Sequence, residues 1–203
     1  MSRVTQIKTN WTAGELAKDL FGRVDITKYA NGAETLENFI VQPHGGITRR
    51  PGTRFVKEVK TSSAKTRLVP FEFSTTQAYC IEFGNLYVRF YKDNGAILEA
   101  NKTISGATQA NPCVVTATSH GFSNGDEIYI ASVVGMTELN GKYYKVKNKT
   151  TNTVELTDID DTNINSTGFT AYSSAGTAAR VYTVTTTYAT ADLFDIQFAQ
   201  SAD

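Results

Sequence analysis

Two periodicities divide the chain. From Thr53 onward the apolar residues alternate with polar ones or run in short β-branched and aromatic stretches, which predicts strands. Phe55-Val56-Lys57-Glu58-Val59 reads as one strand and Arg67 to Phe73 as the next, with Pro70 marking the second as an edge or bulged strand. Ala78 to Phe83 and Leu86 to Tyr91, separated by Gly84-Asn85, predict a hairpin with a two-residue turn. In that hairpin Tyr79, Ile81 and Phe83 share one face and are expected in the core, leaving Ala78, Cys80 and Glu82 on the more open side.

Before Thr53 the pattern is different. Thr12-Ala13-Gly14-Glu15 has the form of a capping box ahead of Leu16, Ala17 and Leu20, which predicts a short helix over 13–21. Asp25 to Ala30 supplies another turn, and Leu36, Phe39 and Ile40 fall at helical spacing. Residues 1–52 therefore read as an arm, with a short helical start, that packs on something larger.

Between 101 and 182 short apolar stretches recur in a chain rich in Thr, Asn, Ser and Gly. Strands are expected at 113–116, 127–130, 143–146, 153–156 and 179–182, with turn signals at Asn124-Gly125-Asp126, Asn140-Gly141 and Gly168. Five short strands over this length suggest a small barrel. Leu98 and Val184 belong to the flanking texture, so the barrel is read as inserted into a sheet domain made of 53–100 and 183–203. A further strand opening at Leu193 and running toward Asp203 suggests either a truncated chain or a sheet completed by another chain.

Composition bounds the function classes. The chain has 203 residues, 40% of them hydrophobic, enough for a core. Twenty basic and twenty acidic residues cancel, which removes attraction of nucleic acid or membrane by net field. The halves do not cancel: residues 1–100 carry 14 Lys and Arg against 10 Asp and Glu, and residues 101–203 carry 6 against 10. The excess is concentrated in 42–70, with Arg49, Arg50, Arg54, Lys57, Lys60, Lys65 and Arg67 against Glu58 alone. DNA contact through Lys57, Lys60 and Arg67 is one reading of that stretch, and the solvated face of a sheet is the simpler one.

Cys80 and Cys113 have no paired spacing and read as buried thiols of a reducing compartment, not as a disulfide or a metal knuckle. The beginning of the chain lacks the pattern of a signal peptide, and no apolar run reaches the length of a membrane span, so synthesis in the cytosol is expected. His44 and His120 both sit in turn contexts, are expected to expose their rings, and lack a motif-spaced Ser or Cys, so no catalytic residues are assigned. Asp158 to Asn163 lacks the Gly and distal Glu of a calcium loop, and Gly45-Gly46 lacks the Lys of a phosphate loop, so neither metal nor cofactor is expected.

A resemblance emerges from several pieces taken together. Gly14-Glu15-Leu16, Gly22-Arg23-Val24-Asp25, Leu36-Glu37-Asn38-Phe39, Gln42-Pro43-His44-Gly45-Gly46, Arg49-Arg50-Pro51-Gly52-Thr53-Arg54-Phe55 and Pro70-Phe71-Glu72-Phe73 resemble the N-terminal part of tail nozzle, or tail tubular protein B-like, structural proteins of short-tailed phages and prophages. The resemblance implies a mainly β, partly propeller-like fold and a non-enzymatic role in the virion tail. It also implies a ring, a hexamer of the chain beneath an adaptor protein and beside other tail proteins, through which DNA leaves the capsid. Arg23, Asp25, Arg49, Arg50 and Arg54 are then expected to fix loops or to meet acidic groups of a neighbouring subunit. His120 to Asp126 with Leu139-Asn140-Gly141 resembles a small β-barrel of phage structural proteins and, more weakly, a β-subdomain of ubiquitin-activating enzymes. The competing expectation is a tail appendage that binds a host receptor or glycan through Tyr129, Tyr143, Tyr144, Phe169 and Tyr172 of the barrel.

Overall fold

The computed structural model describes residues 8–74 and 77–199, with nothing stated for the side chain of Phe73. The chain is mainly β, and no α-helix occurs among the described residues. It forms two compact units, residues 1–55 and residues 56–203.

In the first unit the expected helix over 13–21 is replaced by a two-residue strand, β1 (Gly14–Glu15), and a single 3-10 turn at Lys18–Leu20. Gly14 sits at φ +67, a left-handed conformation that ends any helix started at Thr12. Glu15, the residue read as closing a capping box, instead accepts a hydrogen bond from the backbone N–H of Leu36 at 2.9 Å. β1 pairs in parallel with β2 (Gly32–Ala33). A second 3-10 turn occupies Tyr29–Asn31.

The helical spacing of Leu36, Phe39 and Ile40 is also overridden. Asn38 adopts φ +63 and its carbonyl accepts from the Arg50 N–H, which closes a hairpin of β3 (Phe39–Val41) and β4 (Ile47–Arg49). This unit has almost no core of its own. Among its described residues Ala33 is the one buried hydrophobic, whereas Phe21, Val24, Phe39, Ile40 and Phe55 are exposed.

The second unit contains two antiparallel sheets. β5 (Arg67–Ser74), β6 (Gln77–Gly84) and β7 (Tyr87–Lys92) form a meander, and β8 (Gly95–Ala96) continues the outer edge of β7. The chain then leaves this sheet and returns only at the last strand. Seven strands are made in between: β9 (Lys102–Thr103), β10 (Gly106–Ala107), β11 (Val114–Thr116), β12 (Glu127–Val134), β13 (Lys142–Lys147), β14 (Thr153–Thr157) and β15 (Ser174–Arg180). They order as β10-β11-β14-β13-β12-β15-β9 in a curled, half-barrel sheet. Finally β16 (Thr183–Thr185) pairs with β7, restoring the first sheet.

The strand expected over 55–59 is absent: residues 50–66 contain no strand. The Arg67 strand is present and lies at a sheet edge, in keeping with Pro70 lacking a donor, and its register shifts farther along, between Glu72 and Ser74. The hairpin turn is Asn85-Leu86, one residue later than expected, with Leu86 at φ +64. Gly84 stays in the strand because the Tyr87 ring crosses its α-carbon, where a Cβ would come within 2.1 Å of the ring. Five strands expected in the barrel region are present and the two-residue β9 and β10 extend the sheet at its edges. Its concave side holds a close-packed core that includes Ile128, Ile130, Met136, Leu139, Val154 and Leu156, all at or near zero exposure.

Candidate functional site

The most densely charged part of the second unit lies where its two sheets meet. Alternation along β7 places Tyr87, Arg89 and Tyr91 on one face, and the hairpin register puts Glu82 directly opposite Arg89. That face, read from the sequence as the open one, is where the buried charges are: Glu82 has no exposure and Arg89 is 2% exposed. The other face, with Tyr79, Ile81 and Phe83, is only half-buried. The polar face is buried because Glu127 of the second sheet meets Arg89 there, while Glu82 is satisfied within its own sheet by Tyr87 and Tyr91.

Glu127, the first residue of β12, receives Arg89 Nη1 at 2.7 Å on one carboxylate oxygen and the Lys57 ammonium on the other. Lys57 also lies over the Tyr143 ring, 4.8 Å from its centre. Glu82 accepts hydrogen bonds from both Tyr87 Oη and Tyr91 Oη, and from the Lys60 N–H at 3.3 Å. Arg89 Nε donates to Thr183 Oγ1 at 3.1 Å, so the strand that returns from the barrel is bound to the same guanidinium. Burial pushes the Tyr87 and Tyr91 hydroxyls far above the ordinary phenol value, and the Glu82 carboxylate beside them adds to the rise. Burial lowers the Lys57 ammonium, with Glu127 opposing that loss of charge.

Beside this cluster Arg180 of β15 bridges Glu99 at 2.8 Å and Asp126 at 3.0 Å, and these two acids raise its already high pKa. A polar cleft of about 260 Å³ opens here, lined by Lys60, Arg89, Asp126, Glu127, Arg180 and Thr183. Its acids and bases are already matched to one another. The arrangement fixes one sheet against the other.

Several residues singled out by sequence fall elsewhere. Lys57 is not on a solvated sheet face; its side chain is 2% exposed, held inward by Glu127. Lys60 is exposed with its ammonium over the Tyr87 ring at 5.1 Å. Arg67 donates to the carbonyls of Leu193 and Ile196 at 3.0 and 2.7 Å and lies against the Phe194 and Phe198 rings, so it is engaged by the chain itself. In the first unit Arg23 and Asp25 form a solvent-exposed bidentate pair at 2.8 and 2.6 Å that closes their own loop. The pair lowers the Asp25 carboxyl and raises Arg23. Arg49, Arg50 and Arg54 are exposed and make no ion pair among the described residues; Arg50 reaches Asn38 Oδ1 at 3.4 Å.

His44 is exposed, but His120 is 2% exposed, with Nδ1 accepting from the Phe122 N–H at 2.9 Å and the ring stacked on Phe122. It is a folded-in turn residue. Asp158 Oδ1 is occupied by the N–H groups of Asp160 and Thr162, and no group of three or more metal-type ligands occurs among the described residues. Cys80 is half-buried and Cys113 buried, both free thiols raised by burial.

Of the aromatic set, Tyr144 is in the barrel core, Phe169 and Tyr172 pack against it, and Tyr129 and Tyr143 meet at a tilt of 48° with ring centres 4.9 Å apart. They do not share one exposed platform. Glu82, Arg89 and Glu127 were missed by sequence reasoning. The signal for the first two was available, since the hairpin register places an acid opposite a base, but Glu127 comes from another sheet. Among the described residues no helix is long and apolar enough to cross a membrane.

No curated protein matches the chain. Residues 110–182, which run from just before β11 through β15, are similar to the family of the ubiquitin-activating enzyme E1 FCCH domain. The match covers five of the seven strands of the curled sheet, without β9 and β10, and excludes the buried charges of β6 and β7, so it describes the fold of that segment and carries no activity with it.

Proposed function

We propose that the chain is a structural protein of a phage or prophage tail nozzle, contributing to the wall of a conduit for DNA and acting by shape without catalysis. The observation that carries this reading is the contrast between the two units. The second is braced by a partnered charge cluster between its sheets, whereas the first has, among its described residues, one buried hydrophobic and a row of exposed ones. A unit of this size with so little core gains its stability from a partner surface. The resemblance of residues 10–95 to nozzle proteins supplies the identity of the assembly: copies of the chain in a ring, a hexamer by that resemblance, with an adaptor and other tail proteins.

In this reading the barrel region decorates the wall, and the location is the virion tail after synthesis in the host cytoplasm. The exposed Arg49, Arg50 and Arg54 serve neighbouring carboxylates, with passing DNA phosphate as a second use. Electron microscopy of the chain mixed with adaptor and tail proteins tests the proposal, with rings as the expected result. A chain that joins no such assembly and remains a monodisperse monomer sinks it.

A further inference from the structure

Four times in the chain an asparagine is followed by glycine, at 31–32, 94–95, 124–125 and 140–141. This pairing has a chemistry of its own. With no side chain on the second residue, its backbone nitrogen can reach the asparagine amide carbon and close a five-membered imide. The amide must be free to turn, and the two atoms must approach to about 3–3.5 Å.

The fold obstructs that approach at three of the four places. Asn140 holds the Val133 N–H and carbonyl with its side chain, and the Gly141 N–H donates to the Ile130 carbonyl at 2.9 Å. Asn124 Oδ1 accepts from the Lys149 N–H at 2.9 Å, and the Gly125 N–H donates to the Val146 carbonyl at 2.8 Å. After Asn31, the buried Gly32 donates its N–H to the Tyr29 carbonyl and lies under the Leu16 side chain.

The fourth pair is different. Asp93 and Asn94 are the two turn residues between β7 and β8, at φ +52 and +64. Asn94 is exposed, and its amide has no hydrogen-bond partner among the described residues. The turn is closed by the Lys92 and Gly95 pair of β8, a strand of two residues. So short a pairing opens locally at little cost, which frees the Gly95 nitrogen while the rest of the sheet stays formed.

We infer that Asn94 is a site of covalent self-modification, the position at which the folded chain first loses a side-chain amide. The Gly95 backbone nitrogen attacks Asn94 Cγ and forms the imide bond. The bond from Cγ to the amide nitrogen breaks, and that nitrogen leaves as ammonia with the proton given up by Gly95. Water then opens the ring at either carbonyl, giving aspartate or isoaspartate, and nothing is oxidised or reduced. The product carries a new carboxylate beside Asp93. Isoaspartate also adds one atom to the backbone between Lys92 and Ala96, and Ala96 is the residue whose N–H meets Tyr143 Oη at 3.3 Å. The modification thus acts on a contact between the two sheets. It stands independently of the tail reading.

Peptide mapping by mass spectrometry of the full-length chain, aged in warm and mildly alkaline buffer, tests the inference. A gain of about 1 Da is expected at Asn94, at least about tenfold faster than at Asn31, Asn124 or Asn140. In urea the four rates should converge, because the hydrogen bonds that separate them are gone. The variant Gly95→Ala supplies the second measurement. Its Cβ would lie 3.9 Å from Tyr143 Oη and 4.0 Å from the Lys92 carbonyl oxygen, ordinary contacts, so unchanged thermal unfolding is the control for folding. It is expected to slow the conversion at Asn94 about tenfold by crowding the attacking nitrogen. Three results overturn the inference: folded chain that converts at another of the four positions as fast as at Asn94, an Asn94 that stays intact while the unfolded chain reacts, or a Gly95→Ala chain that converts at the parent rate.

Discussion

Arg89 of β7 and Glu127 of β12 meet at 2.7 Å across the join between the two sheets of the second unit, and neither side chain is more than 8% exposed. The pair is made tolerable by what surrounds it: Lys57 takes the second oxygen of Glu127, and Thr183 takes the Arg89 Nε. A buried ion pair contributes little net stability over an apolar substitute, because desolvation offsets the attraction, but it fixes one arrangement of the sheets.

Removing the carboxylate should therefore be costly. Glu127→Ala leaves two buried cations without a partner, and a loss of about 3–5 kcal/mol is expected in urea unfolding. Replacing Lys57, Arg89 and Glu127 together by Met, Met and Leu is expected to cost less than the single change. A Glu127→Ala protein as stable as the parent would show that the cluster is solvated and that the description above is wrong.

Gly84 is predicted to resist even the smallest side chain. A Cβ there meets the Tyr87 ring, and displacing that ring breaks its hydrogen bond to the buried Glu82. Gly84→Ala should destabilise by about 1–3 kcal/mol, as overpacking does, whereas the exposed Gly52, with open space around its α-carbon, should accept Ala with little change. Equal midpoints for the two variants in thermal unfolding would contradict this.

The buried phenols set an alkaline limit. Tyr87, Tyr91 and Tyr144 are raised in the folded chain from an ordinary value of 10.0, chiefly by burial. The folded state holds these protons more tightly than the unfolded one, so their contribution is complete below pH 10 and is lost as pH rises beyond it. Lys57, lowered from 10.5, acts with the opposite sign: the folded chain sheds its proton first, which favours folding as pH rises toward 10.5. Tyr143 is raised by burial as well and Lys60 is lowered by it, so four tyrosines against two lysines leave a net fall. Tyrosinate absorbance followed against pH should show a late fraction that appears together with unfolding; complete ionisation in the folded protein would refute the burial.

Asn140 is expected to be more than a turn former. Its side-chain amide donates to the Val133 carbonyl at 2.9 Å and accepts from the Val133 N–H at 2.8 Å, acting as a strand neighbour for a residue of β12. Asn140→Asp keeps the shape and the acceptor but sets a carboxylate against the Val133 carbonyl. A loss of about 1–2 kcal/mol at neutral pH is expected, diminished when the carboxylate is protonated. Stability independent of pH between 3 and 7 relative to the parent chain would count against it.

Local pattern determined a good deal of this protein. Alternation and turn residues determined the β class, the 78–91 hairpin to within a residue, the edge position of the Pro70 strand, and five of the seven strands of the curled sheet, because a period of two and a turn are properties of neighbouring residues. Pattern misread Gly14 and Asn38, where a single left-handed residue turns an apparently helical spacing into short strands. The burial of Glu82, Arg89 and Lys57 was decided only by tertiary structure. Each is a charge whose desolvation is unfavourable alone, and its place inside depends on Glu127, Tyr87 and Tyr91 arriving from other strands. Which face of the five-stranded sheet takes the buried charges follows from that packing and not from the hydrophobicity of either face.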